Sequence, residues 1–140
     1  MNQARIFTPF LMMMLLTLVV WVVMYGRRIP FMFRSNLSPQ QLTPGELARL
    51  SPPSVSNPSD NFKNLLELPT VFYAMSLYLY VTHQVDGAYL TASWLFVTFR
   101  MIHSAVHCTI NVILLRFWLY VISATALWYM VIRAAFTAVV

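Results

Sequence analysis

Residues 90–115 read LTASWLFVTFRMIHSAVHCTINVILL, an apolar run long enough to cross a bilayer as a helix, yet with an arginine and two histidines inside it. At about 100° per residue, Arg100, His103, Ser104, His107 and Asn111 fall within roughly 100° of one another, on a single stripe. Off that stripe every side chain is apolar except Thr91, Ser93, Thr98, Thr109 and Cys108. An arginine at mid-bilayer costs about 2.5–3.5 kcal/mol even on the gentler insertion scales. A helix that carries this cost beside two histidines points to a held anion, a cofactor or an internal carboxylate.

The rest of the chain is of the same kind. Its 140 residues are 59% hydrophobic and 9% charged, with a mean hydropathy of +0.67. Soluble domains carry about 25% charged residues, so the composition is that of a membrane protein. The net charge of +5 comes largely from one loop, which fits control of topology in the bilayer and no nucleic-acid partner. A lone cysteine excludes an intramolecular disulfide and a cysteine-rich metal site.

Four apolar stretches, 6–25, 64–81, 89–112 and 117–138, predict an all-α fold. The expectation is a polytopic bundle of four transmembrane helices forming a single membrane domain over 1–140. The first stretch would run about 30 Å as a helix. It is followed by Gly26-Arg27-Arg28 and no small-x-small cleavage site, so it reads as a retained anchor. Short connections around 83–87 and 114–116 require antiparallel neighbours. Residues 26–63 hold six of the eight prolines and read as a long loop, neither a span nor a continuous helix. Within them Thr43-Pro44-Gly45-Glu46 is a capping box that opens a short helix through Leu50. Arg27, Arg28, Arg34, Arg49 and Lys63 in this loop, with Arg116 at the third connection, place both on the cytoplasmic side and both termini outside.

Glu67 is the only carboxylate within a predicted span, and Asn64 lies one turn before it on the same face. A Glu67–Arg100 pair is the simplest internal solution for both charges. Pro69 removes a backbone hydrogen bond to Leu65 and is expected to bend the helix there. His103 and His107, at i and i+4, can meet one ligand, although a metal or haem would need a further donor from elsewhere. Arg116 falls about 160° from the stripe if the helix continues, so it is expected in a tight turn, folding back toward the site. Arg133, deep in the last span, reads either as snorkelling or as packing between helices.

Taken together, Asn64-Leu65-Leu66-Glu67, Arg100-Met101-Ile102-His103 and the later Arg116 resemble the paired Asn-x-x-Glu and Arg-x-x-His motifs of the membrane-associated proteins in eicosanoid and glutathione metabolism (MAPEG). The run Arg100-Met101-Ile102-His103-Ser104-Ala105-Val106-His107-Cys108-Thr109 looks like the uncharacterised bacterial branch of that family. The resemblance covers most of residues 6–138. It implies a homotrimer of four-helix protomers, glutathione as co-substrate, and sites between subunits near the cytoplasmic side. By the same resemblance Asn64, Glu67, Arg100, His103 and His107 shape or bind the glutathione site, and Arg116 is the catalytic arginine that stabilises the thiolate. The activity implied is a glutathione-dependent transferase or peroxidase acting on a lipophilic small-molecule substrate drawn from the lipid bilayer. In a bacterial host the location would be the inner membrane.

The pattern also departs from the family. Where active members carry Glu-Arg-x-x-Arg before the Asn-x-x-Glu motif, this chain has Ser56-Asn57-Pro58-Ser59-Asp60, so both arginines are absent. An alternative is therefore a non-catalytic binding or scaffold protein with a degenerate glutathione site. Another is a small proton-coupled exporter with Glu67 as its membrane carboxylate, against which stand Arg100 and the proline-rich loop.

Overall fold

The computed structural model describes residues 2–35 and 43–139, and 88% of these are helical with no strands. After a 3₁₀ turn at Gln3–Ile6 come α1 (Phe7–Arg34), α2 (Pro44–Leu50), α3 (Pro53–Leu65), α4 (Leu68–Val81), α5 (Gly87–Cys108) and α6 (Ile113–Val139). Residues 36–42 of the expected loop, with Pro39, lie outside the described residues.

Gln3–Arg34 and Ile113–Ala138 are each long and apolar enough to cross a membrane. Only 22% and 33% of their most apolar stretches are buried inside the chain. A core helix of a soluble protein would bury far more, so the chain by itself leaves most of this apolar surface uncovered.

Helix α1 continues nine residues past the expected span, through Pro30 to Arg34. The proline costs it one donor, and the flanking Ile29, Phe31, Met32 and Phe33 supply helix-compatible apolar surface. Residues 53–63, expected as loop, also form a helix, which runs on to Leu65. Pro53 stands at its first turn, where no N–H is needed, and Val55, Asn61 and Leu65 are buried on its inner face. The Thr43 N-cap behaves as expected: it accepts from the Glu46 N–H at 3.4 Å and α2 ends at Leu50, while the Glu46 carboxylate pairs with Arg49.

The expected bend near Pro69 is a full break. Helix α3 stops at Leu65, and Glu67 takes φ −91°, ψ −100° ahead of α4. Pro69 cannot donate to Leu65, so the carbonyls of the last turn of α3 are free to bond elsewhere. Helix α5 likewise ends at Cys108, short of the expected limit of 112. Asn111 adopts a left-handed φ of 49°, and its N–H returns to the Val106 carbonyl at 2.8 Å. Asn111 is thus in the connection and not on the α5 stripe, and Arg116 sits in the first turn of α6 and not in the bend.

The core is a column of close contacts, with Ile6, Met13, Leu65, Phe72, Leu79, Phe96, Val97, Leu127 and Met130 all nearly inaccessible. Phe72 stacks on Phe96 at 4.7 Å, an arrangement worth about 0.5–1.5 kcal/mol beyond simple burial. Because lipid tails are as apolar as these side chains, such packing and a few polar pins hold the helices together. One pin is Gln3, which donates to the Val85 carbonyl at 3.3 Å and accepts from the Val85 N–H at 2.8 Å. A second is Arg133, which resolves the question left by the sequence. It packs between helices, donating to both Asp86 oxygens, one at 2.9 Å, and lying 4.2 Å over the Tyr89 ring.

The Arg133 hydrogen bonds hold the Asp86 carboxyl below its ordinary range, opposed by partial burial. A carboxylate lowered by folding stabilises the protein above its unfolded pKa, and that contribution disappears as pH falls through the lowered folded value. The side chains are 36% and 43% exposed, so the contribution is small. Asp86→Asn, which keeps the cap on α5, should lower unfolding stability in detergent by about 0.5–1 kcal/mol at neutral pH. The difference between variant and wild type should vanish in acid.

Candidate functional site, a buried polar seam

Three helices contribute the seam. Helix α5 presents Arg100 at 0% exposure, with His103, Ser104 and His107 at 2% each. Helix α3 presents Asn57, Asn61 and Asn64, spaced i, i+4 and i+7 on one face. Helix α6 adds Arg116 and, one turn on, Tyr120.

Arg100 lies at its centre. Its Nη2 donates to the Asn64 carbonyl at 2.7 Å, one of the carbonyls released by the break after Leu65. Its guanidinium carbon is 5.9 Å from the Phe96 ring centre and 5.1 Å from that of Tyr120. The expected Glu67–Arg100 ion pair is not formed. Glu67 is exposed at the break, and Arg100 reaches the backbone instead. The turn at Leu66 and Glu67 carries the carboxylate outward while leaving the Asn64 carbonyl facing α5.

Below Arg100, Ser104 donates to Asn61 Oδ1 at 3.3 Å, and Asn61 Nδ2 reaches Cys108 Sγ at 3.4 Å. Further down, Asn111 Nδ2 donates to Asn57 Oδ1 at 3.1 Å, and Arg116 Nη1 donates to Asn111 Oδ1. Arg27 closes this end of the structure, donating to the Ser54 carbonyl at 3.1 Å and the Cys108 carbonyl at 3.0 Å. The His103 and His107 rings stand edge to face at 5.6 Å.

Five buried nitrogens along the seam have no hydrogen-bond partner among the described residues: Arg100 Nε and Nη1, His103 Nδ1, His107 Nδ1 and Arg116 Nε. Buried polar groups are almost always satisfied, and unmet donors from two guanidinium groups suit an anionic acceptor. Among the described residues neither arginine forms an ion pair with a carboxylate, and no three His, Cys, Asp or Glu side chains group to hold a metal ion.

Of the residues singled out from the sequence, the fold brings together Arg100, His103, His107, Arg116 and the backbone of Asn64, while Glu67 stands outside. Asn57, Asn61 and Tyr120 were not anticipated. The repeat of asparagines at 57, 61 and 64 was a readable signal, masked by taking 53–63 as loop.

Two hollows are lined by other residues of the same bundle. An open apolar groove of about 730 Å³ runs between α5 and α6, lined by Ala92, Leu95, Trp118, Ile122, Ala126 and Tyr129 among others. A smaller cavity of about 280 Å³ lies between α1, α2 and α3, with Arg28, Asp60 and Lys63 in its wall. The larger hollow is apolar and offers lipophilic space, whereas the charged groups concentrate at the seam and the smaller cavity.

Because Arg100 is enclosed and Glu67 is exposed, their substitutions should differ in kind. Arg100→Ala should cost about 2–3 kcal/mol of unfolding stability, within the usual range for losing a buried, packed and hydrogen-bonded group. Glu67→Gln should stay within about 0.5 kcal/mol of wild type. Equal losses in thermal unfolding of the purified variants would contradict the arrangement described.

The model of the MAPEG family matches residues 6–136, nearly the whole chain. No curated protein and no solved structure matches it. Two helices long and apolar enough to cross a membrane and this match together make it an integral membrane protein with a glutathione-related role in the broad sense. The chain belongs to the MAPEG family.

Proposed function

We propose that the chain is a glutathione-dependent membrane transferase or peroxidase acting on lipophilic electrophiles or lipid hydroperoxides. The observation that carries this reading is the set of unpartnered seam nitrogens on Arg116, His103 and His107, which suits a ligand bearing carboxylates and an ionisable thiol. A guanidinium beside sulfur favours the thiolate, and the thiolate is the nucleophile. With an electrophile, sulfur bonds to carbon and the leaving group departs with its electron pair. With a hydroperoxide, sulfur attacks the terminal oxygen, an alcohol is released after protonation, and a second glutathione converts the sulfenic acid to the disulfide and water.

In this reading Arg116 stabilises the thiolate, and His103, His107 and Asn64 orient the peptide. Arg100 serves as the internal scaffold, and Glu67, at the exposed break, faces a ligand or a neighbouring subunit. Arg28 and Lys63 in the smaller cavity offer cations in place of the two absent family arginines. The apolar groove between α5 and α6 gives the lipophilic partner a path from the bilayer. The assembly is a homotrimer of four-span protomers, with residues 26–63 and the α5–α6 connection cytoplasmic and both termini outside.

Turnover of glutathione with a lipophilic aryl halide or an alkyl hydroperoxide tests the assignment. Arg116→Ala should lose about a hundredfold in kcat, as for removal of one preorganised donor, while glutathione still binds. Equal activity in that variant would refute the role given to Arg116. The competing reading, a non-catalytic binding protein, is favoured by Asn57 and Asp60 standing where active relatives carry arginines. It predicts no turnover from either protein.

A further inference from the structure

We infer that Asn57 and Asn111 are positioning residues that aim the Arg116 guanidinium at the sulfur of bound glutathione. The inference rests on the glutathione reading above. Arginine is a flexible side chain, and a guanidinium that wanders contributes little preorganised charge. Here one of its terminal nitrogens is held by Asn111 Oδ1, and Asn111 is held in turn through its Nδ2 by Asn57 Oδ1 at 3.1 Å. The relay links three separate elements: Asn57 on α3, Asn111 in the left-handed turn after α5, and Arg116 on the first turn of α6. With Nη1 engaged, Arg116 Nε remains buried and unpartnered, a donor with its direction set.

The backbone supports the same conclusion. Asn111 sits at φ 49°, where asparagine is tolerated and most side chains are strained. That turn ends α5 and starts α6 early enough to put Arg116 on the helix and facing the turn. Asn57 occupies a position where active relatives have an arginine. In this chain that position carries no charge and serves instead to orient a cation on another helix. On binding, the glutathione thiol would lose its proton to solvent, and the fixed guanidinium would offset the resulting negative charge on sulfur.

The test is the ultraviolet thiolate absorbance of glutathione bound to the purified protein, followed against pH, in wild type, Asn111→Gly, Asn57→Ala and Arg116→Ala. Glycine suits the positive φ, so Asn111→Gly removes the amide without straining the turn. Binding of S-methylglutathione, which has no ionisable thiol, is measured in parallel as the control for an intact site. The expected result is that Asn111→Gly and Asn57→Ala each retain S-methylglutathione binding but form about tenfold less thiolate at neutral pH, one pKa unit. Combining Asn111→Gly with Arg116→Ala should add nothing to Arg116→Ala alone. If both asparagine variants ionise glutathione as wild type does, or if both lose S-methylglutathione binding, the positioning role is overturned while the glutathione reading stands. If wild type binds neither compound, the glutathione reading fails and the positioning role falls with it.

Discussion

The hydrogen bond from Arg100 Nη2 to the Asn64 carbonyl ties a buried cation on α5 to a backbone oxygen on α3, and the arrangement of the seam follows from it. A charge at this depth is tolerable only with internal partners, and a carbonyl is available because α3 stops at Leu65. Leu66, Glu67 and Pro69 produce that stop. The break therefore does two things at once. It exposes Glu67 and frees the acceptor that fixes Arg100 against Phe96 and Tyr120. With α3 and α5 held in this register, Asn61 meets Ser104 and Asn57 meets Asn111.

The seam lies beside surfaces of opposite character. Outer faces of α1 and α6 are apolar and exposed, while the groove between α5 and α6 is apolar and open. The polar side chains are confined to the region between α3, the C-terminal half of α5 and the start of α6. A soluble co-substrate with charged ends and a lipid-borne partner could thus approach by different routes. Arg27 joins α1 to the carbonyl ends of α5 and to the first turn of α3, keeping that end of the bundle together without an ion pair.

Much of this was legible in the residues. The polar stripe on α5 was readable from its 100° spacing, the capping box gave α2 to the residue, and the paired motifs indicated the family that the full-length match shows. Three features were not. Proline in 26–63 suggested loop, but Pro30 is absorbed within α1, and Pro53 and Pro58 lie in α3, whose inner face buries Val55, Pro58, Asn61 and Leu65. The Glu67–Arg100 pair followed from charge matching alone, which takes no account of a backbone carbonyl released by a helix break. Asn111 continued the α5 stripe on paper, yet its tolerance of left-handed φ is what ends the helix and brings Arg116 back onto it. In the last two cases a local rule was overridden by where the tertiary structure could satisfy a hydrogen bond.

The central claim is that the unmet nitrogens of the seam form a binding site for glutathione. Calorimetric titration of glutathione into the detergent-purified protein, beside a variant carrying His103→Ala and His107→Ala, tests it most directly. The account predicts saturable binding in the wild type and its loss in the double variant, with thermal unfolding showing that the variant remains folded. No saturable binding in the wild type, or undiminished binding in the double variant, would contradict it.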